Sequence, residues 1–166
     1  MNRRVFLSLS AVTTTTTLLY PTESFHTHQL PKDIYQLIER VQEHLFPDGS
    51  VIPSAKEFKA TVFLDGTLSH PSFDKDIKAF VIEGAESLQE REDYMFLTYD
   101  EARREKALRA FEETSVGSGW LNRIMILSME GLLSDPLYGG NSKESGWQAL
   151  GTRGGDPRPT VRYVEL

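Results

Sequence analysis

Five apolar residues, Ile34, Leu37, Ile38, Val41 and Leu45, recur at i, i+3, i+4, i+7 and i+11 between Pro31 and Pro47. That spacing places them on one stripe of an α-helix and admits no half-buried strand. Pro31 suits the first position of such a helix, and Phe46-Pro47-Asp48-Gly49 ends it, because proline disfavours helix in the residue before it and Asp-Gly supplies turn chemistry. A helix with one apolar stripe must be covered, so the rest of the chain has to supply partners.

Most of the chain between Gly49 and Gly131 is also helical in pattern. Ser54-Ala55-Lys56-Glu57 has the form of a capping box, with Phe58, Val62 and Phe63 as the apolar side of a second helix that Asp65-Gly66 should stop. A third run after His70-Pro71 places Phe73, Ile77, Phe80, Val81, Gly84 and Leu88 on one stripe, with Gly84 allowing a neighbouring helix to come close. Thr98-Tyr99-Asp100-Glu101 repeats the capping pattern ahead of a charged helix through Arg103, Arg104, Lys106 and Arg109, whose sparse apolar face is Ala107, Leu108 and Phe111. Gly117-Ser118-Gly119 then reads as a separator before the most apolar helix, Trp120, Leu121, Ile124, Met125, Leu127 and Ser128. Beyond Gly131, breakers dominate, and the pattern predicts at most one turn near Trp147 to Leu150 and an extended stretch from Thr160 to Val164. The fold class is all-α: a small bundle of four or five helices and then a long irregular tail rich in glycine, proline and aromatics.

The first 25 residues read differently. Asn2-Arg3-Arg4-Val5-Phe6-Leu7 precedes a mildly apolar, acid-free run containing threonines from Thr13 to Thr17. A charged start ahead of a moderate apolar stretch is the layout of an export leader, and Arg3, Arg4, Phe6 and Leu7 fit the twin-arginine form of it. A threonine run gives a poor helix with no apolar face, which argues against an ordinary buried helix here. No A-x-A triplet marks a cleavage point, so the mature start falls between Tyr20 and His28, and residues 26–166 form one helical domain.

Composition removes several functions. The 166 residues carry a formal charge of -6 with no cysteine. Basic residues are scattered, which leaves little for counterion release on nucleic acid. Without cysteine the chain has no disulfide, thiolate zinc site, cysteine-ligated iron-sulfur cluster or thioether-linked haem. No phosphate loop, dinucleotide fingerprint or nucleophile elbow is present. His26 and His28 lie in the loose stretch behind the leader, His44 sits where a helix C-terminus favours a cation, and His70 precedes a proline at a junction. Glu112-Glu113 and Glu90-Arg91-Glu92-Asp93 read as solvated charge rather than paired catalytic acids. No residue is assigned a catalytic or metal-binding role.

The tail is the most informative segment. Tyr138-Gly139-Gly140-Asn141, Gly146-Trp147 and Leu150-Gly151 combine large flat side chains with backbone freedom. Tyr and Trp bury much area while keeping a hydrogen-bonding tip, so these residues serve equally as interface anchors or as groups that fold back onto the bundle.

Asp135-Pro136-Leu137-Tyr138-Gly139-Gly140-Asn141, Gly146-Trp147 and Leu150-Gly151 together resemble the closing signature of the gluconate 2-dehydrogenase subunit 3 family. Leu37 to Pro47, and Phe63-Leu64-Asp65 with Leu68, resemble its first two helices. The resemblance implies a small subunit without a cofactor of its own. Its partner would be an FAD-containing large subunit of the glucose-methanol-choline type that oxidises a sugar or polyol and lacks a leader, often accompanied by a multihaem cytochrome c subunit. It also implies that the small subunit escorts the folded flavoprotein through the twin-arginine translocase and stays with it in the periplasm, held at the inner membrane through the complex. By that analogy Tyr138, Gly139, Gly140, Asn141, Gly146 and Trp147 contribute to docking or to shaping the docked tail. The competing expectation is an independent periplasmic binding or scaffold protein, and a carboxylate-based catalyst is a third.

Overall fold

The computed structural model describes residues 30–162; the leader residues Arg3, Arg4, Phe6 and Leu7, together with His26 and His28, lie outside them. The described chain is all helix and turn, with no strand among its residues. Five helices form the bundle: α1 (Lys32–Leu45), α2 (Ala60–Leu68), α3 (Lys75–Arg91), α4 (Glu101–Glu112) and α5 (Ser115–Leu133). A sixth, α6 (Ser145–Ala149), is the short turn expected near Trp147. The described part of the expected extended stretch, Thr160 to Arg162, is bend rather than strand.

α5 is the axis of the molecule and touches α1, α2, α3, α4 and α6. Its Trp120 is fully buried, donates Nε1–H to the Val81 carbonyl at 2.8 Å, and meets Phe111 edge-on at 6.0 Å between ring centroids. The indole lies against Gly84, where an added Cβ would sit 2.0 Å from Cδ1. The glycine in the α3 stripe thus admits α5 as its spacing suggested. Leu37, Ile38, Val41, Leu64, Val81 and Leu88 fill the space around it. A second cluster packs Phe46 edge-on against Phe58 at 5.4 Å, with Ala55, Ala60 and Leu132 around them.

Three polar side chains stitch this core together. Gln42 of α1 is wholly buried, donates Nε2–H to Ser128 Oγ at 2.9 Å and accepts from the Thr61 hydroxyl at 2.7 Å. Ser128 passes its own hydrogen to the Ile124 carbonyl. Each of the three side chains has its partner, so the desolvation penalty of burying an amide is offset.

Several local expectations are corrected. The Ser54–Glu57 box caps only a turn, because Lys59 adopts a left-handed conformation (φ 61°) and α2 starts after it. α2 then runs through Asp65-Gly66 to Leu68, with the Asp65 carboxylate receiving the Leu30 amide at 3.0 Å instead of ending the helix. Asp100, not Thr98, caps α4, accepting from the Arg103 amide at 2.8 Å. Gly117-Ser118-Gly119 lies inside α5, whose cap is Thr114. A Cβ at Gly117 would approach the Phe111 carbonyl to 1.9 Å, so the residue read as a separator is instead the close contact that lets α5 turn back on α4.

Candidate functional site

α5 ends with free carbonyls, as every helix does, and the tail is folded to receive them. The Asp135 carboxylate caps a short 3-10 turn, Pro136–Tyr138, accepting from the Leu137 amide at 2.9 Å. Gly139 takes φ 96° and Asn141 φ 43°, the left-handed region that glycine and asparagine tolerate best, and the chain reverses there. Asn141 is fully buried, donates Nδ2–H to the Ser134 carbonyl at 2.9 Å and accepts the Gly146 amide on Oδ1 at 2.8 Å. Trp147 on α6 donates Nε1–H to the Leu133 carbonyl at 2.8 Å. The two closing side chains of the motif therefore satisfy carbonyls at the end of the longest helix.

The glycines make this approach possible. A Cβ on Gly140 would lie 2.4 Å from the Gly131 carbonyl oxygen, and one on Gly146 would lie 2.1 Å from that of Leu132. Tyr138 is half-buried, and its carbonyl accepts from Arg162 at 3.3 Å. Arg158 closes the unit from outside: its guanidinium stacks 4.8 Å above the Trp147 ring while pairing with Asp135 and Glu144. Arg158 holds the Asp135 carboxyl below its ordinary range.

Tyr138, Gly139, Gly140, Asn141, Gly146 and Trp147 are thus brought together in one small unit at the end of α5, most of them facing inward. The unit leaves Leu137 and Leu150 exposed, as Leu133 is at the end of α5, an outward placement that the sequence pattern did not indicate. For Leu133 it was legible in principle, since this residue lies four beyond Met129 and seven beyond Ile126 on the side of α5 opposite Trp120.

A second feature is a groove of about 610 Å³ between α4 and α5, floored by Leu45, Leu108, Leu121 and Met125. His44 and Glu105 meet at its edge at 2.6 Å and tie α1 to α4. That hydrogen bond, with a further one from Arg109, keeps the Glu105 carboxyl below its usual range. Ser118 lines the groove from α5. His70 contacts Ser72 at the α2–α3 junction. Glu112 pairs with Arg109 on the surface of α4, and Glu92 accepts from the Tyr99 hydroxyl. Among the described residues no group of three or more acids and histidines is placed to hold a metal ion, and no helix is long and apolar enough to cross a membrane.

The fold and the tail unit define a small all-helical domain whose closing residues shape the surface at the end of α5. The sequence profile described as gluconate 2-dehydrogenase subunit 3 matches residues 32–155, most of the chain. The chain belongs to the gluconate 2-dehydrogenase subunit 3 family and is by that membership an accessory subunit of a dehydrogenase complex. No curated protein and no solved structure matches it.

Proposed function

We propose that this chain is a non-catalytic small subunit that binds, stabilises and co-exports the FAD-containing large subunit of a periplasmic sugar or polyol dehydrogenase. Hydride transfer belongs to the partner's flavin, and this chain supplies a docking surface and, through Arg3 and Arg4, the export signal. The observation that carries the reading is the family match over 32–155. It is supported by the use of Asn141 and Trp147 to rigidify an apolar-edged surface at the end of α5. In this reading Tyr138, Gly139, Gly140, Asn141, Gly146 and Trp147 act by shaping the docked tail, and Leu137 and Leu150 meet the partner.

Co-expression with a leaderless flavoprotein of the glucose-methanol-choline type tests this. The tagged chain is expected to bring down a yellow, flavin-bearing polypeptide from the periplasm, and Arg3→Lys with Arg4→Lys to hold both proteins in the cytoplasm. Normal periplasmic maturation of the flavoprotein without this chain would defeat the proposal.

A further inference from the structure

α4 and α5 face solvent with opposite chemistry. The exposed side of α4 carries Glu101, Arg103, Lys106, Arg109 and Glu112, the surface expected of a helix that meets only water. On the exposed side of α5 one stripe, Ser115, Gly119, Asn122, Ile126, Met129 and Leu133, carries no charge. Ile126, Met129 and Leu133 remain 37%, 47% and 44% accessible. These six residues are spaced four, three, four, three and four apart, the heptad alternation by which one helix packs along another. Leu127, Gly131 and Trp120 occupy the opposite, buried side, so the stripe plays no part in the core.

Two charges flank the stripe on one side only: Arg123 and, seven residues later, Glu130. Neither side chain has an ion-pair or hydrogen-bond partner among the described residues. We propose that the α5 stripe is a self-association surface, packing antiparallel against α5 of a second copy of this chain about a two-fold axis. In that arrangement residues on the same flank meet across the axis, so Arg123 of each copy faces Glu130 of the other, and two complementary pairs form from one sequence. The same register sets Ile126 against Met129 of the second copy, and Asn122 against Leu133. The stripe layers and the charge pairs therefore agree on one alignment, over residues 122–133. A parallel alignment gives no such agreement, because each flank would then meet the opposite flank of the other copy, where Ser118 and Met125 offer Arg123 and Glu130 no charge to pair with.

Sedimentation of the full chain over a dilution series tests the proposal, alone and with the co-expressed flavoprotein. A reversible dimer is expected. Ile126→Arg should make it monomeric with its helical circular dichroism unchanged. Arg123→Glu and Glu130→Arg should each weaken self-association on the order of tenfold or more, since like charges then face each other twice. Mixing these two variants should restore the dimer, because each copy is complementary to the other and not to itself. A wild-type monomer at every concentration, a dimer indifferent to Ile126→Arg, or a mixture that fails to re-form would overturn it. If the wild type is monomeric and Ile126→Arg instead releases the flavoprotein, the stripe belongs to the heteromeric contact; the self-association proposal then fails while the proposed function stands.

Discussion

The two tryptophans of this chain are fastened by the same contacts and held with different materials. Trp120 and Trp147 each donate Nε1–H to a helix carbonyl at 2.8 Å, and each lies against a glycine, Gly84 or Gly154, where a Cβ would collide with the ring. Trp120 is then enclosed by long helices and the Phe111 ring. Trp147 sits on a helix of five residues and is covered by a guanidinium that two carboxylates hold in place. Apolar enclosure couples the first residue to the whole fold. Polar and ionic closure leaves the second able to open without unfolding the bundle.

Trp120→Ala should cost about 3–5 kcal/mol and weaken the whole fold, as seen by a lowered chemical-denaturation midpoint with coincident loss of helix and tertiary signals. Gln42→Leu tests whether a polar fastening inside the bundle behaves like the apolar one: taking the acceptor from the Thr61 hydroxyl, while Ser128 keeps its bond to the Ile124 carbonyl, should cost about 1–3 kcal/mol in the same assay. Trp147→Ala should lower the global midpoint by less than half as much as Trp120→Ala. Its signature should be faster amide exchange confined to residues 134–155, and a global loss equal to that of Trp120→Ala would erase the distinction.

The smallest effect concerns Asp135. Its folded pKa lies below the ordinary 3.8 because Arg158 favours the carboxylate. The contribution of this pair is therefore complete above about pH 3.8 and disappears as pH falls through the depressed folded value. Arg158→Gln should move the Asp135 carboxyl titration upward when traced by NMR, with little change in stability at neutral pH, since solvent screens exposed pairs of this kind.

The sequence made the long helices legible where apolar spacing and punctuation agreed. α1 has its stripe and two bracketing prolines; it ends just before Pro47 as implied and begins at Lys32, with Pro31 as its N-cap rather than its first residue. It misled where a local signal was used for tertiary purposes. Asp65-Gly66 looks like a stop, yet Asp65 is occupied by the Leu30 amide from a segment 35 residues away. Gly117 looks like a linker, but it is small because the Phe111 carbonyl presses on it. For the tail, composition marked Trp147 and Asn141 as special without saying which way they point. Direction depends on which carbonyls the end of α5 leaves open, and no spacing rule encodes that. The exposed stripe of α5 was hidden by the same helix's stronger buried face, because an apolar helix at the centre of a bundle reads as core all round.

The bond from Gln42 to Ser128 spans 86 residues of chain, whereas that from Thr61 to Gln42 spans 19. The α1–α2 contact can thus form from neighbouring segments, whereas seating the Gln42 amide on Ser128 waits for α5. Because α1, α2, α3 and α4 all pack against that helix, closure of this core rests on its most distant contact.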